Sequence, residues 1–412
     1  MMIRAQTIVA RTPNALLASL DRFHLQSKAK GGTFLFALSA PSDALSVITS
    51  HLKSHFPRHI GCLSSPLPAY HSHIMCAVAL LNGITFRSTI AGRADPQVGR
   101  WHAARHSSTQ QLAAAQSSVF EEFNGDVGKV NWEDIWDRTA MSSQEMIPVE
   151  LRTARPEDVS SILYFSDKAP EGIAKALKAT FPHSNELGFL ASSTPFITGR
   201  PVTLFHDGEI YSDGAIGIAL QPSLGHTSLE VEFPDLVDLT PDLQITSSEG
   251  NLILTLDNGN PTCLLLAAMN KHGLDGRDVL LKDDEFYVGV MSGGKVERLH
   301  RITSGDPSRG TIALGTTSAP SQGSTIRMLY LPRRDEVTLN LEPTHGNTSI
   351  SFIATPDSFG DGLPSSALDN DVLVIDENFI AGSENGFMLR RGAKEEGWIC
   401  TLPGGQACLR WT

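Results

Sequence analysis

Two short loops carry the residues best suited to holding a small polar ligand. The first is Gly61-Cys62-Leu63-Ser64-Ser65; the second is Gly188-Phe189-Leu190-Ala191-Ser192-Ser193. Small residues let backbone N–H groups approach a carboxylate or phosphate. The same glycines also suit plain close packing where a strand meets a loop. Arginines follow both loops: Arg93 and Arg100 in GRADPQVGRWH, and Arg200 in TPFITGR. A guanidinium can clamp a carboxylate through two parallel bonds. Trp101 and His102, next to Arg100, would add stacking and hydrogen bonding. The competing readings are a surface arginine at Arg200 and a loop anchored by a buried Trp101. The candidate ligand-binding set is therefore Gly61, Cys62, Ser64, Ser65, Arg93, Arg100, Gly188, Ser192, Ser193 and Arg200.

Reactive chemistry is poorly supported. Cys62 has His59 nearby, but it adjoins an apolar strand and its twin position holds Phe189. A nucleophilic thiolate needs a base and exposure. Ser192-Ser193 lacks the GxSxG frame of a nucleophile elbow. His71 and His73 would face one side of a strand, yet no third metal ligand lies near them in sequence. The five cysteines, Cys62, Cys76, Cys263, Cys400 and Cys408, form no CxxC pair and read as reduced, mostly buried thiols. No dinucleotide fingerprint or P-loop is present. The expectation is no catalytic set, no metal and no cofactor, with an enzyme of unknown type kept as an alternative.

The elements that must position these loops repeat. Strand TFLFALSA precedes a helix ending Leu52-Lys53-x-x-Phe56-Pro57; strand SILYFS precedes one ending Leu177-Lys178-x-x-Phe181-Pro182, at an offset of 125. Proline cannot continue a helix and disfavours helix in the residue before it. The loops come next, followed by two segments that read as hairpins, turning at Asn82-Gly83 and Asp207-Gly208. Phe86 matches Tyr211 at the same offset. The reading is a duplicated strand–helix–strand–hairpin unit, residues 33–90 and 161–216, of α/β or α+β class. From residue 233 alternating strands dominate, with one helix at Cys263–His272, so the expected domains are 1–232 and 233–412.

Composition bounds the function. The chain has 412 residues, 41% hydrophobic and 19% charged, with net charge −12. That balance argues against a nucleic-acid coat. No apolar run reaches the roughly 18–20 residues of a membrane span. Residues 1–20 hold Arg4 and Arg11 and no acid, a composition shared with mitochondrial transit segments. The preferred reading is a first strand, 3–10, and an amphipathic helix, 14–25, in a cytoplasmic or nuclear protein.

LGFLASSTPFITGRPVTLFHDGEIYSDGAIGIAL (Leu187–Leu220) resembles the FIST family, and IGCLSSP matches an earlier element of it. FPDLVDLTPDLQITSSEGNLILTL and the segment Asp284–Arg333 resemble its C-terminal region. The form is similar to fungal FIST proteins and to the FIST region of an animal F-box-only protein. The resemblance implies an intracellular sensory module binding small ligands such as amino acids or small carboxylates. No F-box segment is apparent before Thr33, nor is a kinase, cyclase or methyl-accepting domain. Any output is thus expected through a separate signalling protein; an adaptor linked to a ubiquitin ligase is the alternative.

Overall fold

The computed structural model describes residues 4–27, 32–90, 147–222, 227–274, 285–306, 310–316, 318–332, 348–356, 368 and 370–411. Arg93, Arg100, Trp101 and His102 lie outside the described residues.

The first unit runs β1 (Arg4–Ala10), α1 (Pro13–Ser27), β2 (Thr33–Ser39), α2 (Ser42–His55), β3 (His59–Leu63) and β4 (Ile74–Leu81). β2 is parallel to β3 and antiparallel to β4, and β4 is antiparallel to β1. Residues 4–10 are thus an interior strand, with β4 on one side. The second unit is β5 (Ile84–Ser88), β6 (Ser161–Ser166), α3 (Glu171–Thr180), β7 (Asn185–Leu190), the hairpin β8 (Leu204–His206) and β9 (Glu209–Tyr211), and β10 (Ala215–Leu220). Its pairing repeats the first: β6 parallel to β7 and antiparallel to β10, β10 antiparallel to β5. Both helices stop alike. Phe56 N–H donates to the Leu52 carbonyl (2.9 Å) and Phe181 N–H to that of Leu177 (2.7 Å).

The repeat differs from the sequence expectation at one joint. β4 and β5 do not pair with each other; they lie in different sheets, so Asn82-Gly83 joins units rather than closing a hairpin. Neither residue has positive φ, whereas Asp207 (φ 45°) and Gly208 (φ 92°) form the expected turn. Gly83 is small because a Cβ there would run into the Ala219 carbonyl of β10. Phe86 therefore corresponds to the first-unit strand β1, not to Tyr211.

A third copy follows in the C-terminal half. β11 (Thr227–Glu232) opens it. A barrel then intervenes: β12 (Val237–Asp238), β13 (Leu243–Glu249), β14 (Leu252–Leu256), α4 (Pro261–Lys271), β15 (Glu285–Ser292), β16 (Lys295–Asp306), β17 (Thr311–Leu314) and β18 (Thr325–Leu331). Its order β18-β13-β14-β17-β16-β15 closes through a β15–β18 pairing. The unit resumes with β19 (Ser349–Ala354), β21 (Asn378–Ser383), the hairpin β22 (Phe387–Arg390) and β23 (Trp398–Cys400), and β24 (Gln406–Trp411); β20 (Val372–Asp376), between β19 and β21 in sequence, instead pairs with β1 at the edge of the first sheet. β19 is parallel to β21 and antiparallel to β24, and β24 is antiparallel to β11.

The three units are joined cyclically. After its second parallel strand each unit sends a segment to its neighbour's equivalent strand: β8 lies against β3, β22 against β7, and Ser65 bridges Gly382 of β21. The inner faces of all three sheets share one core, which includes Leu35, Cys62, Phe165, Phe189, Phe352 and Phe379. Outward, α1 and α2 cover the first sheet and α3 the second. Because their strands are buried on both faces, they read as continuous apolar runs. The class is α+β and strand-rich, as expected.

Candidate functional site

The strands β3, β7 and β21 end beside one another. Ser65 and Ser192, one from each sequence-predicted loop, lie 2.9 Å apart through their hydroxyls. Between the loops stands a carboxylate of the chain itself, Glu384. It accepts from the Ser65 hydroxyl (2.5 Å) and from the Ser193 N–H (2.6 Å). Asn385 donates from Nδ2 to the Ala191 carbonyl (2.8 Å). Burial alone would raise the Glu384 pKa. The Ser193 N–H and the Ser65 hydroxyl outweigh it, and the carboxyl is held below its ordinary value.

The other candidates are placed differently. Gly61 pairs with Phe36 and Gly188 with Tyr164, and a Cβ would come within 2.4 Å of the Phe36 ring at Gly61 and within 2.3 Å of the Tyr164 ring at Gly188. Cys62 is wholly buried, and burial raises its thiol pKa well above normal. Ser64 donates its N–H to the Leu38 carbonyl (2.9 Å). Arg200 is exposed and donates to the Ser212 hydroxyl (2.8 Å). Cys62, Cys76, Cys400 and Cys408 are buried free thiols and Cys263 is exposed.

Glu384 also lines a cleft of about 720 Å³ between the barrel and the second sheet. Its walls carry Lys168 from the segment before α3 and Glu171 from its first position, Glu285, Tyr287 and Arg301 from β15 and β16, and Asn385, Met388 and Trp398 from the third unit. Arg301 pairs with Glu285 at 2.9 Å, and the Tyr287 hydroxyl donates to Glu285. Burial, then the adjacent Glu285, keeps the Tyr287 phenol protonated. Sequence reasoning missed these residues. The available signal was Ala381-Gly382-Ser383-Glu384-Asn385, a third version of the glycine-containing strand end.

Charges of both signs line the cleft beside a carboxylate bonded to Ser65 and Ser193, a lining whose chemistry suits a small polar ligand. No helix among the described residues is long and apolar enough to cross a membrane. The FIST N domain model matches residues 33–259, over half of the chain, and the chain belongs to the FIST family. The FIST domain is a sensory, ligand-binding domain of signal transduction. No curated protein and no solved structure matched the sequence.

Proposed function

We propose that the chain is a small-ligand sensor and that its ligand occupies the cleft beside Glu384. The carrying observation is that Glu384, held by both repeat loops, faces a cavity whose walls also offer Lys168 and Arg301. That pairing of charges favours a zwitterion such as an amino acid. Its ammonium group would meet Glu384 and Glu171, and its carboxylate Lys168 and Arg301. In this reading Ser65, Ser192 and Ser193 act by fixing Glu384, while Gly61, Cys62 and Gly188 serve packing. Output runs through a separate protein, and a ubiquitin-ligase component is one partner that affinity purification would recover. The five free thiols suit a reducing compartment.

A thermal-shift screen of amino acids, simple amines and simple carboxylates tests the reading. A ligand that binds the folded chain alone must raise the melting temperature by mass action. Amino acids should shift it more than either half-molecule, and Lys168→Ala or Arg301→Ala should abolish the difference. Equal or absent shifts would contradict the zwitterion assignment.

A further inference from the structure

We infer that α1 and α2 carry a divalent transition-metal site, separate from the cleft, formed by Asp21, His51 and His55. His51 and His55 are four residues apart on α2, which sets both rings on one face. Asp21 projects from the neighbouring α1 to meet them. Its Oδ1 lies 2.9 Å from His51 Nε2 and 3.6 Å from His55 Nε2, and the three donor atoms lie within 4.8 Å of one another. Ligand atoms around a tetrahedral zinc ion with bonds of about 2.0–2.2 Å stand roughly 3.3–3.6 Å apart. The His55 distance falls within that range and the His51 distance is a few tenths of an ångström short of it.

Two details favour an ion over a plain Asp–His contact. His55 Nδ1 sits 3.0 Å from the His51 carbonyl, a group that can only accept. The Ser54 hydroxyl lies 2.9 Å from the same nitrogen; the tautomer in which Nδ1 donates to the carbonyl leaves the Nε2 lone pair for a metal, the arrangement seen in metal-bound histidines. Among the described residues His51 Nε2 is buried with no hydrogen-bond partner, although Asp21 Oδ1 stands 2.9 Å from it. A buried polar nitrogen left in this way calls for an occupant. Two imidazoles and one carboxylate suit zinc and its neighbours rather than calcium or magnesium. Three protein ligands leave a coordination position open, and the ion would clamp α1 to α2. His24, one turn beyond Asp21, brings its ring to 5.2 Å from that of His55.

Equilibrium dialysis with Zn²⁺ and Co²⁺ on the full chain tests the site. The expected result is one ion per chain, a Co²⁺ d–d spectrum of low symmetry, and a melting temperature raised by ZnCl₂. His51→Ala or His55→Ala should weaken Zn²⁺ binding on the order of 100-fold, as loss of a direct ligand exceeds the 10–100-fold loss of an outer partner. The near-isosteric Asp21→Asn covers the case in which a histidine variant fails to fold, and it should lose at least about tenfold. Binding that persists undiminished in all three variants, or no binding at all, would overturn the proposal. Neither outcome bears on the cleft, whose ligand test contains no metal.

Discussion

The hydroxyls of Ser65 and Ser192 lie 2.9 Å apart across 127 positions of chain. They meet because β3 and β7 are equivalent strands of cyclically joined units, and Glu384, just beyond the third such strand, accepts from the Ser65 hydroxyl and from the N–H of Ser193, the residue after Ser192. A charge-assisted bond of this kind is worth about 1.5–3 kcal/mol. Ser65→Ala and Glu384→Gln should each destabilise by that order and together by less than their sum, in a double-mutant denaturation cycle.

The cluster also sets an acid limit. The folded-state pKa of Glu384 lies below its ordinary value, so its stabilisation is present above about pH 4.5 and is lost as the pH falls through the folded value. Glu384→Gln should flatten this acid limb of the stability profile, measured by denaturation at stepped pH. An unchanged acid limb would show that other carboxylates govern it.

His300 adds a second acid term of different origin. Burial, reinforced by Arg298, lowers its pKa to about 4, and its Nε2 is buried with no hydrogen-bond partner among the described residues. The unfolded chain takes up a proton below about pH 6.5 while the folded chain does not. Stability should therefore fall between about pH 6.5 and 4, by roughly 3 kcal/mol in all. His300→Phe should remove this step while leaving that of Glu384 in place.

Much of this arrangement was legible in sequence because two copies kept the same punctuation. Leu-Lys-x-x-Phe-Pro ended both helices, and the buried strands read as apolar runs. The third copy was hidden for two reasons. The barrel separates β11 from β19, and Ala381-Gly382-Ser383-Glu384 keeps little beyond the glycine. Asn82-Gly83 misled because its turn signal is local, whereas the neighbour that requires a glycine there, the Ala219 carbonyl, is remote in sequence. Glu384, the residue joining both loops to the cleft, was not visible as a partner because it lies 319 positions from Ser65.

The two repeat glycines give a direct check on packing. Gly61→Ala and Gly188→Ala force a methyl into the Phe36 and Tyr164 rings. Overpacking of this kind costs about 1–3 kcal/mol. Both variants should unfold at lower denaturant by similar amounts, and Gly305→Ala, whose added methyl would meet Thr262 only at an ordinary contact distance of 3.4 Å, should lose less.

Arg390 ties the third unit to the end of α3. It is fully buried and donates to Glu186 (2.8 Å from Nε) and to the Phe181 (2.9 Å) and Pro182 (2.8 Å) carbonyls. Burial pushes the Glu186 carboxyl up to about 7 against the pull of Arg390. Arg390→Met leaves that carboxyl buried without its cation, a loss of about 3–5 kcal/mol. Protonation then becomes the relief, so the loss should be smaller at pH 5 than at pH 8 in parallel denaturation curves.

The most direct measurement is a crystal structure of the chain grown with the amino acid giving the largest thermal shift. Density in the cleft, with the ammonium nitrogen in hydrogen-bond reach of Glu384 and the carboxylate toward Lys168 and Arg301, is the expected result. An empty cleft with the ligand bound elsewhere would contradict the account.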